Sequence, residues 1–173
     1  MGIFYGLTSY GANAGTQLRP NYPTPIVKDG MFNFNTSVRL TDVTDGTSNT
    51  ILFGEHDSGE PLWSAFYPPS QGGPDFLNFS IWSSGFNGCW RIALVQINYH
   101  LPASVATSPP PLFSPIWQDM YNKRNYTYGS RHFGGCNMVF ADGSVHFVSQ
   151  NLDLITLQSL STKAGGEVIA VDF

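Results

Sequence analysis

Charge is scarce in this chain: Asp, Glu, Lys and Arg together make up only 12% of its 173 residues, about half the share usual in soluble domains. Eight basic residues stand against twelve acidic ones, a formal charge of −4 at pH 7, so the basic surplus of a nucleic-acid binder is missing. The heptads and Glu- and Lys-rich composition of a coiled coil are absent too. With 42% hydrophobic residues the chain is also unlike a disordered segment. Long apolar runs are lacking: runs of four such as Ile92 to Val95 and Val168 to Val171 are as long as any and fall far short of the roughly 20 residues that cross a bilayer, which predicts no membrane span. The opening Met1-Gly2-Ile3-Phe4-Tyr5-Gly6 has neither the basic start nor the apolar stretch of a signal peptide. Cysteine is limited to Cys89 and Cys136, without CxxC or His-rich spacing, which argues against zinc and thioredoxin-like chemistry. Two readings of the pair stay open. One is a disulfide that would stabilise by about 4 kcal/mol in an oxidising compartment, the other a pair of buried thiols.

What the chain has instead is 14% aromatic residues, 18 Gly and 12 Pro, a mixture that predicts short strands joined by many turns. Its length fits one domain, residues 1–173, able to bury a core without metal or disulfide. The texture changes twice. Residues 1–57 and 129–173 carry short apolar segments punctuated by Asp-Gly, Gly-Gly and Asn. Residues 58–128 are rich in Pro, aromatics and small polar residues and read as a long loop-rich insertion, with Trp90 to Tyr99 its best strand.

The clearest local pattern runs from Asn137 to Val148, where apolar residues alternate on both sides of Asp142-Gly143. Asp-Gly predicts a two-residue type I′ hairpin turn, which would set Phe140 opposite Val145 and Met138 opposite Phe147 on the core face. Asp153 is placed to cap a short helix carrying Leu154, Leu157 and Leu160, stopped by Gly165-Gly166. Val168 to Phe173 reads as a returning strand, and Thr50 to Phe53 as a buried strand after an oxygen-rich turn at residues 45–49. Together these signals predict an α+β fold with a predominantly antiparallel β-sheet, one short C-terminal helix and the loop-rich insertion.

Ser9-Tyr10-Gly11-Ala12-Asn13, the run from Thr41 to Thr50, Gly54-Glu55, Ser130-Arg131-His132, the run from Phe140 to Val145, and Ala164-Gly165-Gly166-Glu167 occur in that order. With them the chain resembles the prepilin-type, pseudopilin-like family called domain of unknown function 1559, whose C-terminal signature is a His, nine residues, then Asp-Gly. Here these are His132 and Asp142-Gly143, with Gly134 and Gly135 inside the interval. The resemblance implies the pseudopilin-like head of a type II secretion or type IV pilus-like assembly, located outside the cytoplasm in the periplasm or at the cell surface. Such a head is structural and non-catalytic, and its partners are other pilin-like subunits or secretion components. Members of the family typically begin with a basic leader and a long apolar helix that anchors them. This sequence starts where the globular region is already under way, and it reads as the head alone.

Several residues are candidates for chemistry, each with a plainer role beside it. Asp42, Asp45, Ser48, Asn49 and Glu55 could offer oxygens to calcium, as the resemblance to major pseudopilins implies, although the spacing is not that of an EF-hand. The alternative is a turn whose carboxylates accept backbone N–H groups. His132 has Asp142 as its obvious partner, but the better expectation is a structural histidine that fastens its loop. Trp63, Tyr67, Trp82 and Trp117 could present rings to a carbohydrate or surface polymer, or fill a core under long loops. A carbohydrate-binding module is therefore the second functional reading, and a hydrolase around Glu55 or His132 the third. No GxSxG, HExxH, P-loop or GxGxxG motif supports that third reading.

Overall fold

The computed structural model describes residues 8–17, 29–33, 36–57, 59–67 and 89–167. Strands β1 (Tyr10–Asn13), β2 (Ile51–Glu55), β3 (Trp90–Arg91), β4 (Gly135–Phe140) and β5 (Val145–Ser149) form a five-stranded sheet in the order β3-β1-β2-β4-β5. The β1–β3 pair is parallel and the other three pairs are antiparallel, so the α+β expectation with a mainly antiparallel sheet holds. Gly11 and Gly54 face each other across β1 and β2, and each leaves room for a large side chain. A Cβ on Gly54 would lie 2.3 Å from the Tyr128 ring, and one on Gly11 would lie 2.4 Å from Arg91 Nε. Tyr128 is thus wholly buried, and its hydroxyl donates to Asn13 Oδ1 at 3.0 Å. The Asn13 amide donates in turn to the carbonyls of Ile51 at 2.7 Å and Ser161 at 2.9 Å. A single buried amide therefore ties two strands to the last helix, with every one of its polar atoms satisfied.

That helix, α3 (Leu154–Ser161), starts where Asp153 accepts the Thr156 N–H at 2.9 Å, as its sequence predicts. Leu157 and Leu160 pack on Ile51, Tyr128, Cys136, Met138, Phe140 and Val148. The predicted strand at Val168 to Phe173 lies outside the described residues.

The hairpin forms where expected, with a different turn and register. Val139 pairs with Val145, Met138 with His146 and Cys136 with Val148. Gly143 N–H donates to Phe140 O, and Phe140 N–H to Ser144 O, both at 2.9 Å. Gly143 alone takes positive φ, at 89°. The connection is therefore a three-residue loop, a type I turn followed by a left-handed glycine, rather than the two-residue turn. One extra loop residue exchanges the faces of β5. His146 and Val148 join Cys136, Met138 and Phe140 on the core side, while Val145 and Phe147 turn outward at 61% and 47% exposure.

The described residues of the insertion hold more regular structure than its composition suggests. After Arg91 the best-strand stretch leaves strand geometry, and β3 comprises Trp90–Arg91 alone. The expected single helix is joined by a short α1 (Trp63–Phe66) and by α2 (Pro115–Tyr126), a twelve-residue helix. In α2, Ser114 is the N-cap, accepting the Trp117 N–H at 3.2 Å, and Pro115 stands in the first turn. Trp117 and Tyr121 of α2 close a second core with Trp63, Phe66, Leu101 and Val105. Phe66 and Trp117 stack at 5.1 Å with 5° between their planes. Trp63 and Trp117 are only 3% exposed, so they fill this core and form no binding surface. Tyr67 is half-buried against Trp117, at 5.7 Å, and Trp82 lies outside the described residues.

Candidate functional site

The antiparallel pairing brings the start of β1, the end of β2 and the start of β4 to one end of the sheet. The Glu55 carboxylate, largely buried there, gathers three donors, with the His132 ring beside them. Tyr10 Oη donates to Oε1 at 3.0 Å, Asn137 N–H to Oε2 at 2.6 Å, and the Asn137 amide to both oxygens at 3.3 Å. His132 Nε2 lies 3.4 Å from Oε1. Burial, and next the hydrogen bond to Glu55, push the Tyr10 phenol pKa up. His132 sits on a loop fixed from within, because Ser130 Oγ accepts the His132 N–H at 3.0 Å and donates to Gly135 O at 2.7 Å. Gly135 must be glycine, since a Cβ there would lie 2.2 Å from Val148 O. Gly134 turns the chain with φ of 84°. Beside this group, Asp57 accepts the Gly59 N–H at 2.9 Å and the Arg131 Nε–H at 3.1 Å. Thr8, Ser9, Glu55, His56, Asp57 and residues 130–132 line a cleft of about 350 Å³.

His132 and Asp142 do not meet. β4 stands between them, its six residues spanning about 17 Å. Asp142 is at the opposite end of the strand, where its Oδ1 accepts Ser144 N–H at 2.9 Å and Ser144 Oγ–H at 2.7 Å. The hydrogen bond from the Ser144 side chain, then that from its backbone, holds the Asp142 carboxyl below the ordinary value. The partner of His132 is Glu55.

The five oxygen-bearing residues considered for calcium are dispersed. Asp45, near the hairpin tip, accepts the Gly165 N–H at 2.7 Å and the Gly166 N–H at 2.9 Å, whereas Glu55 is at the other end of β2. Asp42 accepts Arg39 N–H at 2.8 Å. Asn49 donates to Asp45 O at 3.2 Å, and Ser48 lies in the short 3-10 turn Thr47–Asn49. This donor set does not fit one six- to eight-oxygen shell. Among the described residues no group of three or more His, Cys, Asp and Glu is arranged to hold a metal ion. Cys89 and Cys136 are both thiols, a correction to the disulfide reading. Cys89 adjoins β3 and Cys136 is in β4, with β1 and β2 between. Three strand spacings, about 14 Å, are twice the reach of a disulfide.

Sequence reasoning singled out Glu55 and His132 separately and missed the link between them, along with Tyr10, Asp57, Arg131 and Asn137. Tyr10 and Arg131 lie in the segments that carry the resemblance, and the alternation along β4 offers a signal for Asn137, which is next to the core-facing Met138. Only the strand order brings them together.

A family model described as a protein of unknown function (DUF1559) matches residues 3–154. No curated protein and no solved structure gives a match. Because the match spans most of the sequence and takes in β1 to β5 together with the cleft, the chain belongs to the DUF1559 family.

Proposed function

We propose that the chain is a non-catalytic interaction domain, the head of a pseudopilin-like protein that works outside the cytoplasm through contacts with pilin-like or secretion subunits. The observation that carries this reading is the outer face of the β4–β5 hairpin. Val145 and Phe147 stand out of the sheet opposite Val139 and Asn137, Phe133 is fully exposed, and among the described residues β5 is an edge strand, with no strand of theirs paired to its outer side. The polar groups of the motif support the same reading. Glu55, Asp142 and Asp45 are occupied by backbone N–H groups, the work of fasteners.

A photocrosslinking amino acid placed at Phe147, in cells that make the full protein, tests this. The expected product is a covalent adduct with a pilin-like or secretion subunit, identified by mass spectrometry and lost when the probe is moved to Ile155 on α3. Adducts confined to unrelated proteins, or equal at both positions, would overturn it. So would hydrolytic turnover that disappears with Glu55→Gln.

A further inference from the structure

The cleft beside Glu55 has a chemical character of its own. Its two carboxylates are already matched: Glu55 by Tyr10, Asn137 and His132, Asp57 by Gly59 N–H and Arg131 Nε. Burial, foremost among its causes, keeps the His56 imidazole pKa well below the ordinary value, so this wall is uncharged at neutral pH. Arg131 offsets the Asp57 carboxylate, and the Glu55 carboxylate is largely buried with both oxygens already accepting hydrogen bonds from Tyr10 and Asn137, so no surplus of positive charge draws a free anion into the site.

Directional hydrogen-bonding capacity remains. Arg131 uses Nε on Asp57, and its side chain is 79% exposed, with the guanidinium lying across Gly59, where a Cβ would come within 2.4 Å of Nη2. Its terminal N–H groups are donors at the cleft, whose lining includes Arg131. His132 directs Nε2 to Glu55 and is 58% exposed, which leaves Nδ1 for a ligand. Thr8 and Ser9 add hydroxyls to the rim. Aromatic rings stand close by, outside the lining itself. Phe147 meets the His132 ring edge-on at 6.5 Å, and Phe133, next in sequence, is wholly solvent-exposed.

Hydrogen-bond donors and acceptors along the rim, no surplus positive charge to hold an anion, carboxylates whose oxygens are already engaged, and aromatic rings close by together match an uncharged ligand whose hydroxyls both give and accept hydrogen bonds and whose C–H faces are apolar. A volume of about 350 Å³ is at the lower end of the range for small-molecule sites. We propose that this cleft binds a neutral saccharide unit, with Arg131 and His132 hydrogen-bonding its hydroxyls and Phe133 covering a C–H face. The proposal moves carbohydrate recognition away from the insertion, whose Trp63 and Trp117 are buried. It shares Phe133 and Phe147 with the hairpin face proposed above, but it is tested on the isolated chain with sugar alone, so either reading can fail without the other.

Titration of the intact, isotopically labelled chain with cellobiose, maltose and chitobiose, followed by ¹H–¹⁵N correlation spectra, tests it. The expected result is saturable shifts for at least one sugar, centred on residues 130–133 and 147. Arg131→Ala and Phe133→Ala should each weaken that binding by about tenfold or more. Both side chains are exposed, so the melting temperature should stay put, and Phe113→Ala, which removes an exposed ring beside α2, should leave the affinity unchanged. Absence of saturable shifts up to about 50 mM sugar, larger shifts at the same residues with phosphate or acetate, or sugar shifts that survive Arg131→Ala would each overturn it.

Discussion

Tyr128 occupies the middle of the sheet because Gly54 has no side chain, and its hydroxyl then completes the hydrogen bonding of Asn13. Gly54→Ala would force the ring aside and break that bond, so a loss of about 3 kcal/mol is expected, read as a lower urea midpoint with an unchanged slope. Gly143→Ala makes the informative contrast. Nothing lies within 4 Å of its added Cβ, and only the φ of 89° is unfavourable, so the loss should be about 1 kcal/mol. At this scale the sequence is legible where the cause is local. Asp153 as a cap and Leu157 and Leu160 as core residues follow from spacing along one helix. The reason for glycine at 54 is not legible, because the ring that excludes a methyl group there comes from a distant segment. The same holds for the pairing of His132 with Glu55.

Among the elements, the hairpin could be located from Asp142-Gly143 but not registered. Asp-Gly satisfies a two-residue turn and equally a three-residue loop that needs one left-handed glycine. β5 offers apolar side chains on both faces, so its own pattern does not choose between them. Helix α2 was hidden differently. Its buried side includes Arg124 and Asn125 beside Trp117 and Tyr121, which blurs the apolar period, although Ser114-Pro115 is a sound start signal. Arg124 earns its burial by holding the insertion down. Its Nε donates to Glu60 Oε2 at 3.0 Å, and Nη2 donates to the carbonyls of Asp57 at 2.8 Å and Gly59 at 2.9 Å. The two side chains of the ion pair are 4% and 1% exposed. Arg124→Met takes the buried guanidinium from the Glu60 carboxylate, which keeps the Leu62 and Leu101 N–H groups and the half-exposed His100, and should lower stability by about 3 kcal/mol. Glu60→Gln added to it should restore part of that loss. Chemical unfolding followed by near-ultraviolet circular dichroism, which reports the stacked rings, measures both.

Across the whole molecule, the sheet core and the aromatic core adjoin a region where positive charge is already enclosed. Arg91 and Arg124 are buried there with His56, and both arginines add to burial in depressing the imidazole pKa. The folded protein thus resists a proton that the unfolded chain accepts at an ordinary pKa near 6.5. Stability is retained above that value and falls as the pH drops below it, with a slope of up to about 1.4 kcal/mol per pH unit from this group. Urea midpoints measured from pH 8 to about pH 5 should show the decline, and His56→Gln should flatten it. A profile unchanged by that substitution would remove His56 as the cause.

The placement of β4 between His132 and Asp142 gives the nine-residue interval a meaning of its own: it is a ruler. Lengthening it by two residues would preserve which side chains look inward and carry the Asp-Gly tip about 7 Å farther out. Lengthening it by one would turn half the strand inside out. Relatives that vary this interval while keeping the same core should therefore do so in even steps.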